Sequence, residues 1–316
     1  MPPIPQIPAS LHAIYQPLAL LGTGAESTIL LSRRRGTPTP AQPIALKIIH
    51  PSHRGIITSA LLATLTAIQH HAAHPLVQIR EHDGSGGGVA WVAMDMVGGR
   101  SVEQLLDENY NYNGLVFAEA GLPPWLVAHV FAEVCRAETY LREHGLMHVD
   151  LKAGGNVMLS FSVNTSPNLD TNLNTSAAAL PTVTLIDFGG LKLYHPTRAW
   201  KICEHVLCLF STAVRGQRRV PDVWRAGIHH TMLQKLDALY ASVEGYVRLG
   251  EGERRGEEWT IERVLGGWGV VVEGVIKEGR RGMEGMEMKE VGEGVEEAGE
   301  RVEEMEEMEV EVLRFE

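Results

Sequence analysis

A chain of 316 residues with 44% apolar side chains and a formal charge of −11 is long enough to bury a sizeable core and has the make-up of an ordinary folded protein. From Glu284 to Glu316 stand fourteen glutamates and three basic residues, so this tail carries the whole net charge and the remainder is formally neutral. That balance argues against general nucleic-acid binding, and no apolar run approaches the ~20 residues that span a bilayer.

Residues 1–15 open Pro-rich, which predicts an extended arm. Met1-Pro2-Pro3-Ile4-Pro5 lacks the basic and apolar regions of a secretory signal. The three cysteines, Cys135, Cys203 and Cys208, are too few and too irregular for a disulfide framework. A reducing compartment is therefore expected, cytoplasmic or nuclear.

Leu18 to Leu21 reads as a strand entering Gly22-Thr23-Gly24-Ala25-Glu26-Ser27-Thr28-Ile29. Glycines at such a turn let backbone amides approach a phosphate closely. Arg33-Arg34-Arg35 and the Thr/Pro residues after it read as a hairpin loop. Ile44 to Ile49 is a second strand, and Lys47 within it is costly unless paired. From Ile56 to His71, Leu61, Leu62, Leu65 and Ile68 keep a helical repeat. The region contains no acid. His70, His71 and His74 have no Cys or carboxylate beside them, which speaks against a metal cluster.

Leu76 to Ile79 and Val89 to Met94 read as strands flanking the Gly84–Gly88 turn. Asp95-Met96-Val97-Gly98-Gly99 leaves the second of them. Ser101 fits a helix N-cap with Glu103 in the first turn. After a loop-like 107–121, Leu122-Pro123-Pro124 opens a helix to about His144. Leu126, Val127, Val130, Phe131, Val134, Cys135, Thr139 and Leu141 share its apolar face.

That helix delivers the chain to His148-Val149-Asp150-Leu151-Lys152-Ala153-Gly154-Gly155-Asn156. A carboxylate such as Asp150 can accept a proton or orient a hydroxyl. Lys152 can neutralise charge on a transferring phosphoryl group. Asn156 offers a hard oxygen suited to Mg²⁺. Farther on, Asp187 follows the apolar Thr184-Leu185-Ile186 and precedes Phe188-Gly189. Two separated acids, a Lys and an Asn make a kit for metal-assisted phosphoryl transfer.

These stretches resemble the protein-kinase superfamily, in its serine/threonine branch. His148 to Asn156 resembles the catalytic loop H-R-D-L-K-x-x-N, and Asp187-Phe188-Gly189 resembles the metal-binding D-F-G. Gly22 to Ile29 is similar to the glycine-rich loop, with Ser27 at its third glycine and Ile29 at its valine. Ala45 and Lys47 resemble the A-x-K strand. The resemblance implies an α+β, two-lobed fold, with a small antiparallel β lobe and a mainly helical large lobe abbreviated towards its C-terminal end. It implies ATP and Mg²⁺ as cofactors. Asp150 would take the proton of a Ser or Thr hydroxyl, Lys152 would steady the γ-phosphate, and Lys47 would hold the α- and β-phosphates. Asp187 and Asn156 would bind metal. Gly22, Gly24, Ser27, Ile29 and Ala45 would frame the nucleotide. Met94 would gate the adenine pocket, and the Asp95 carbonyl and Met96 amide would bond the base.

The pattern is broken in three places. The helix after Lys47 has no Glu to pair with it, and Leu65 falls near the expected position. Asn156 lies one residue late, where the Gly154-Gly155 pair can absorb the extra residue as a bulge. Val149 replaces the Arg that would bind a phosphorylated activation segment. Residues 160–182, rich in Asn, Ser, Thr and Ala, read as a disordered insertion.

Beyond Gly189 the match decays. Residues 202–213 and 231–247 are helix candidates, with Cys203 and Cys208 as packing residues, and Trp259 and Trp268 anchor the last mixed segment. The expected layout is an arm at 1–15, a β lobe at 16–96, a helical lobe at 97–278 and a low-complexity acidic tail at 279–316, the last a possible partner contact. The leading expectation is transfer of the γ-phosphate of ATP to a protein Ser or Thr. The alternatives are a nucleotide-binding scaffold without catalysis and a small-molecule kinase. Neither nucleic acid nor membrane is an expected partner.

Overall fold

The computed structural model describes residues 7–36, 42–69, 74–83, 88–106, 122, 124–151, 154–160, 180–195, 234–235, 238, 241 and 269–277. Lys152, the body of the 160–182 insertion, the 202–213 helix candidate, Trp259, Trp268 and the acidic tail lie outside them. Within the 231–247 helix candidate, the described positions 234, 235, 238 and 241 are helical.

The fold is α+β and is built on an antiparallel sheet of five strands. They are β1 (Tyr15–Thr23), β2 (Ser27–Arg34), β3 (Ile44–Ile49), β4 (Ile79–His82) and β5 (Trp91–Asp95), in the order β1-β2-β3-β5-β4. Side chains alternate across a strand, and β3 shows the consequence. Ile44 and Leu46 join one core with Leu30 and Ala93, whereas Ala45 and Ile49 join the larger core on the other face. Lys47 shares the Ala45 and Ile49 side, so its head is carried to the face where the rest of the chain packs.

The smaller core also takes Ile7, Leu11 and Tyr15. Where the Pro-rich composition predicts an extended arm, Ala9–His12 instead form a helical turn, α1, with Leu11 buried. Burial of Ile7 and Leu11 over the outer sheet face removes apolar area from water, and an extended arm would leave that area exposed.

Between β3 and β4 lies α2 (Ser59–Ile68), whose first turn is capped by the Thr58 hydroxyl accepting from Leu61 N at 3.3 Å. This is shorter than the predicted 56–71 stretch. Leu62, Leu65 and Ile68 point into the larger core, as the periodicity requires. The predicted strand at Leu76–Ile79 begins only at Ile79. Leu76 instead bridges Leu185, while Val77 N donates to Leu185 O and Leu185 N to Pro75 O. An apolar run reports burial, not which neighbour its backbone will find.

After β5 come β6 (Arg100–Ser101) and α3 (Val102–Leu105), where Ser101 and Gln104 form a reciprocal capping box. The long helix α4 (Pro124–Glu143) buries Leu126, Val127, Val130, Phe131, Val134, Cys135 and Leu141, which is the predicted face. It leads to β7 (Leu146–His148). Then follow β8 (Val157–Ser160), β9 (Thr182–Leu185), a 3₁₀ turn at Phe188–Gly190, and β10 (Leu191–Leu193). β6, β8 and β9 form one small sheet, and β7 pairs with β10 in another. The helical residues 269–277 add Val272 and Val275 to the same core. Among the described residues, no helix is long and apolar enough to cross a membrane.

Candidate functional site

Two loops, each joining strands of different sheets, bring the predicted acids together. β7 and β8 flank the Val149–Asn156 loop, and β9 and β10 flank Asp187–Gly190. Pairing of β7 with β10, at His148 opposite Leu191, and of β8 with β9, at Val157 opposite Leu185, sets the two loops side by side. Val149 N donates to Gly190 O at 3.0 Å, and Ile186 N to Asn156 O at 2.9 Å.

His148 ties them more closely. Its ring is fully buried, its Nε2 donates to the Asp187 carbonyl at 2.9 Å, and its Nδ1 accepts from Asp150 N at 3.3 Å. Burial pushes its pKa down against the opposing pull of the Asp187 carbonyl, so the ring is neutral at pH 7. That tautomer fits one donated and one accepted bond. The ring also meets Phe188 edge-on, with centroids 6.1 Å apart.

Asp187 stands in the left-handed region with φ 59°, unusual for a residue with a side chain. Its carboxylate accepts from Gly189 N at 3.0 Å and pairs with the Lys47 ammonium. Burial alone raises its pKa, but the Lys47 charge and hydrogen bond together hold the carboxyl below its ordinary value. Lys47 is only 4% exposed, so this pair answers the cost of the charge in an apolar strand. The expected helix acid is absent. Leu65 is fully buried in the apolar core, and Asp187 is the group that holds Lys47.

Gly154, two residues before Asn156, takes φ +75°. The Asn156 amide then donates to Asp150 O at 2.7 Å and to Asp150 Oδ2 at 3.3 Å. Its nitrogen is thereby committed to Asp150, and its oxygen takes no hydrogen bond from a described residue. Asp187 and Asn156 thus carry oxygen atoms of the hard type that Mg²⁺ prefers. Among the described residues, no group of three or more His, Cys, Asp or Glu side chains is placed to hold a metal ion.

The remaining predicted residues lie along the sheet. Gly22 pairs with Ile29 across the β1–β2 hairpin, and Gly24 N donates to Ser27 O at 2.9 Å. Neither glycine has positive φ, and a side-chain carbon would meet nothing at Gly22 and only Ser27 O, at 3.9 Å, at Gly24. Among the described residues nothing requires glycine there. Ser27 is buried and Ile29 packs against the larger core. Ala45 faces Met94 across β3 and β5, and both are buried. Asp95 N is taken by Gln78 O at 2.9 Å, the Asp95 carboxylate pairs with Arg80, and Met96 is exposed.

Gly190 touches Asp150 so closely that a Cβ on it would stand 2.6 Å from Asp150 Cβ. Gly190→Ala is therefore expected to push the Asp150 loop off β10 and to cost about 1–3 kcal/mol, read as a lower midpoint in urea.

One relevant group escaped sequence reasoning. Glu138, on the apolar face of α4, is 1% exposed, and its Oε2 accepts His148 N at 3.3 Å. The other oxygen has no partner. The signal was present: an acid sits four residues after Val134 and three before Leu141, in the register of the buried stripe. Burial pushes its pKa up to about 8, against the opposing hydrogen bond from His148. Below its ordinary 4.5 both folded and unfolded chains are protonated. Between 4.5 and about 8 only the folded chain keeps the proton, so stability falls as pH rises, then levels off. Glu138→Gln is expected to abolish this slope and to gain about 3–5 kcal/mol at pH 9 relative to wild type, measured by urea unfolding from pH 4 to 9.

A separate cavity of about 990 Å³ lies behind α4, lined in part by His129, Glu133, Arg136 and Glu273. None of the predicted site residues reaches it, and its Glu133 and Arg136 already pair with each other. No protein-family model and no curated protein matches this chain.

Proposed function

We propose that this chain is an ATP- and Mg²⁺-dependent phosphotransferase of the protein-kinase type, acting on Ser or Thr hydroxyls of a protein. The single observation that carries the reading is the meeting of Lys47 and Asp187, 140 positions apart, beside a loop that ties Asn156 to Asp150. An ordinary structural ion pair has no reason to bring an Asp–Asn pair alongside it. In this reading the five-stranded antiparallel sheet takes the part of a small lobe, and α4 with the β7–β10 connections that of the start of a large one.

In this reading Asp150 orients the acceptor hydroxyl and takes its proton. Asp187 and Asn156 supply the oxygens that would hold Mg²⁺, which when bound neutralises charge on the phosphates. Lys47 exchanges part of its bond to Asp187 for the phosphates. The side of Gly22 and Gly24 that lacks a Cβ supports a close backbone approach by those phosphates. Lys152 would steady the transferred group. Ala45 and Met94 would line the base pocket, and the Asp95 carbonyl and Met96 amide would bond the base.

A scaffold that does not turn over is the second reading. It is favoured by the absence of a helix acid and by the way Lys47 and Asp187 already satisfy each other. Calorimetry with Mg-ATP, followed by transfer of labelled γ-phosphate to a mixture of protein acceptors, separates the two. Binding with transfer supports the enzyme, binding without transfer supports the scaffold, and no binding removes the phosphotransferase reading.

A further inference from the structure

Glu26 sits at the tip of the β1–β2 turn, and three contacts from one residue fix that turn. His50 N donates to Glu26 O at 2.9 Å, its Nδ1 meets Ala25 O at 3.1 Å, and its Nε2 meets Thr28 Oγ1 at 3.3 Å. His50 follows β3 directly, so the turn is registered to the strand that carries Lys47. The Glu26 side chain is exposed, yet its carboxylate lies close to Gly189. The point where a Cβ on Gly189 would stand is 3.1 Å from Asp187 Oδ1, 3.6 Å from Glu26 Oε2 and 3.8 Å from Lys47 Nζ. A second, exposed carboxylate therefore stands near the Asp187–Lys47 pair, at the mouth of the proposed phosphate site.

We infer that Glu26 makes nucleotide binding conditional on a divalent cation. This inference rests on the phosphotransferase reading. With Asp187 already spending the Lys47 charge, the Glu26 carboxylate leaves the site with excess negative charge. A metal-free triphosphate, itself strongly anionic, is repelled. A triphosphate chelated by a divalent cation brings its own compensation and is admitted. Glu26 is thus a specificity-determining residue for the charge state of the ligand. It needs no contact with the reacting atoms, because even an exposed charge acts on a highly charged anion over several ångströms at low ionic strength.

The test is calorimetric and uses the full chain. ATP is titrated with excess chelator, and separately with excess Mg²⁺, into wild type, Glu26→Gln and Glu26→Asp. Glu26→Gln is expected to tighten metal-free ATP by roughly three- to thirty-fold and Mg-ATP much less, so the preference for the chelated form shrinks. Glu26→Asp keeps the charge and should keep the wild-type preference. An unchanged ratio in Glu26→Gln overturns the inference while leaving the phosphotransferase reading in place. Weaker Mg-ATP binding with metal-free ATP unaltered also overturns it, because Glu26 would then be a cation ligand. If none of the three proteins binds either form, the phosphotransferase reading falls and takes this inference with it.

Discussion

Asp150→Asn is expected to lower phosphoryl transfer by about 10²–10⁴-fold and to leave Mg-ATP affinity within about two-fold. The carboxylate's role is confined to the acceptor hydroxyl, since proton removal is worth that much only once the phosphates are already placed. Substitution by Asn preserves volume and leaves the Asp150 backbone oxygen to Asn156, so the loop should stay in place. Two measurements check it: calorimetric binding of Mg-ATP, and the initial rate of label transfer. Full transfer activity in the variant would remove Asp150 from the proton step. A loss of binding equal to the loss of rate would show that Asp150 shapes the nucleotide site instead.

Lys47→Met is the second large effect. It removes a buried ammonium and strands Asp187, whose side chain is 30% exposed. Breaking a fully buried pair costs about 3–5 kcal/mol. Partial exposure of Asp187 lowers that to roughly 2–4 kcal/mol, because water can reach the orphaned carboxylate. Nucleotide binding should fall at least ~10²-fold with the loss of the phosphate-facing cation. The companion variant Lys47→Met/Asp187→Asn should recover much of the stability, since no uncompensated charge remains, and none of the binding. Equilibrium urea unfolding and calorimetry on wild type and the two variants separate the two contributions. Equal destabilisation in the single and double variants would mean that the pair contributes through packing alone.

Much of the fold was legible because its signals are local. Period-two strands bounded by turns, the 3.6-residue stripe of α4 and the Ser101 cap each depend on a few neighbouring residues. The exceptions have a common cause. Ile7 and Leu11 were hidden by flanking prolines, and Leu76 and Val77 by the rule that apolar runs become strands. In each case the decisive partner lies far along the chain. The Gly154-Gly155 pair marked a loop free to turn, and Gly154 does take a positive φ.

The candidate site divides the same way. The order of residue types in Gly22–Ile29, Lys47, Asp150–Asn156 and Asp187 fixed which side chains could act, since each motif is contiguous. Sequence could not say what replaces the missing helix acid. That depended on β7 pairing with β10 and β8 with β9, which together carry Asp187 to Lys47. It could not show that Glu138 reaches the His148 amide, or that the exposed Glu26 carboxylate stands near the Asp187–Lys47 pair. Charges act through space and across water-excluded distances. Which of them share a low-dielectric cleft is therefore decided only when the strands have chosen their partners.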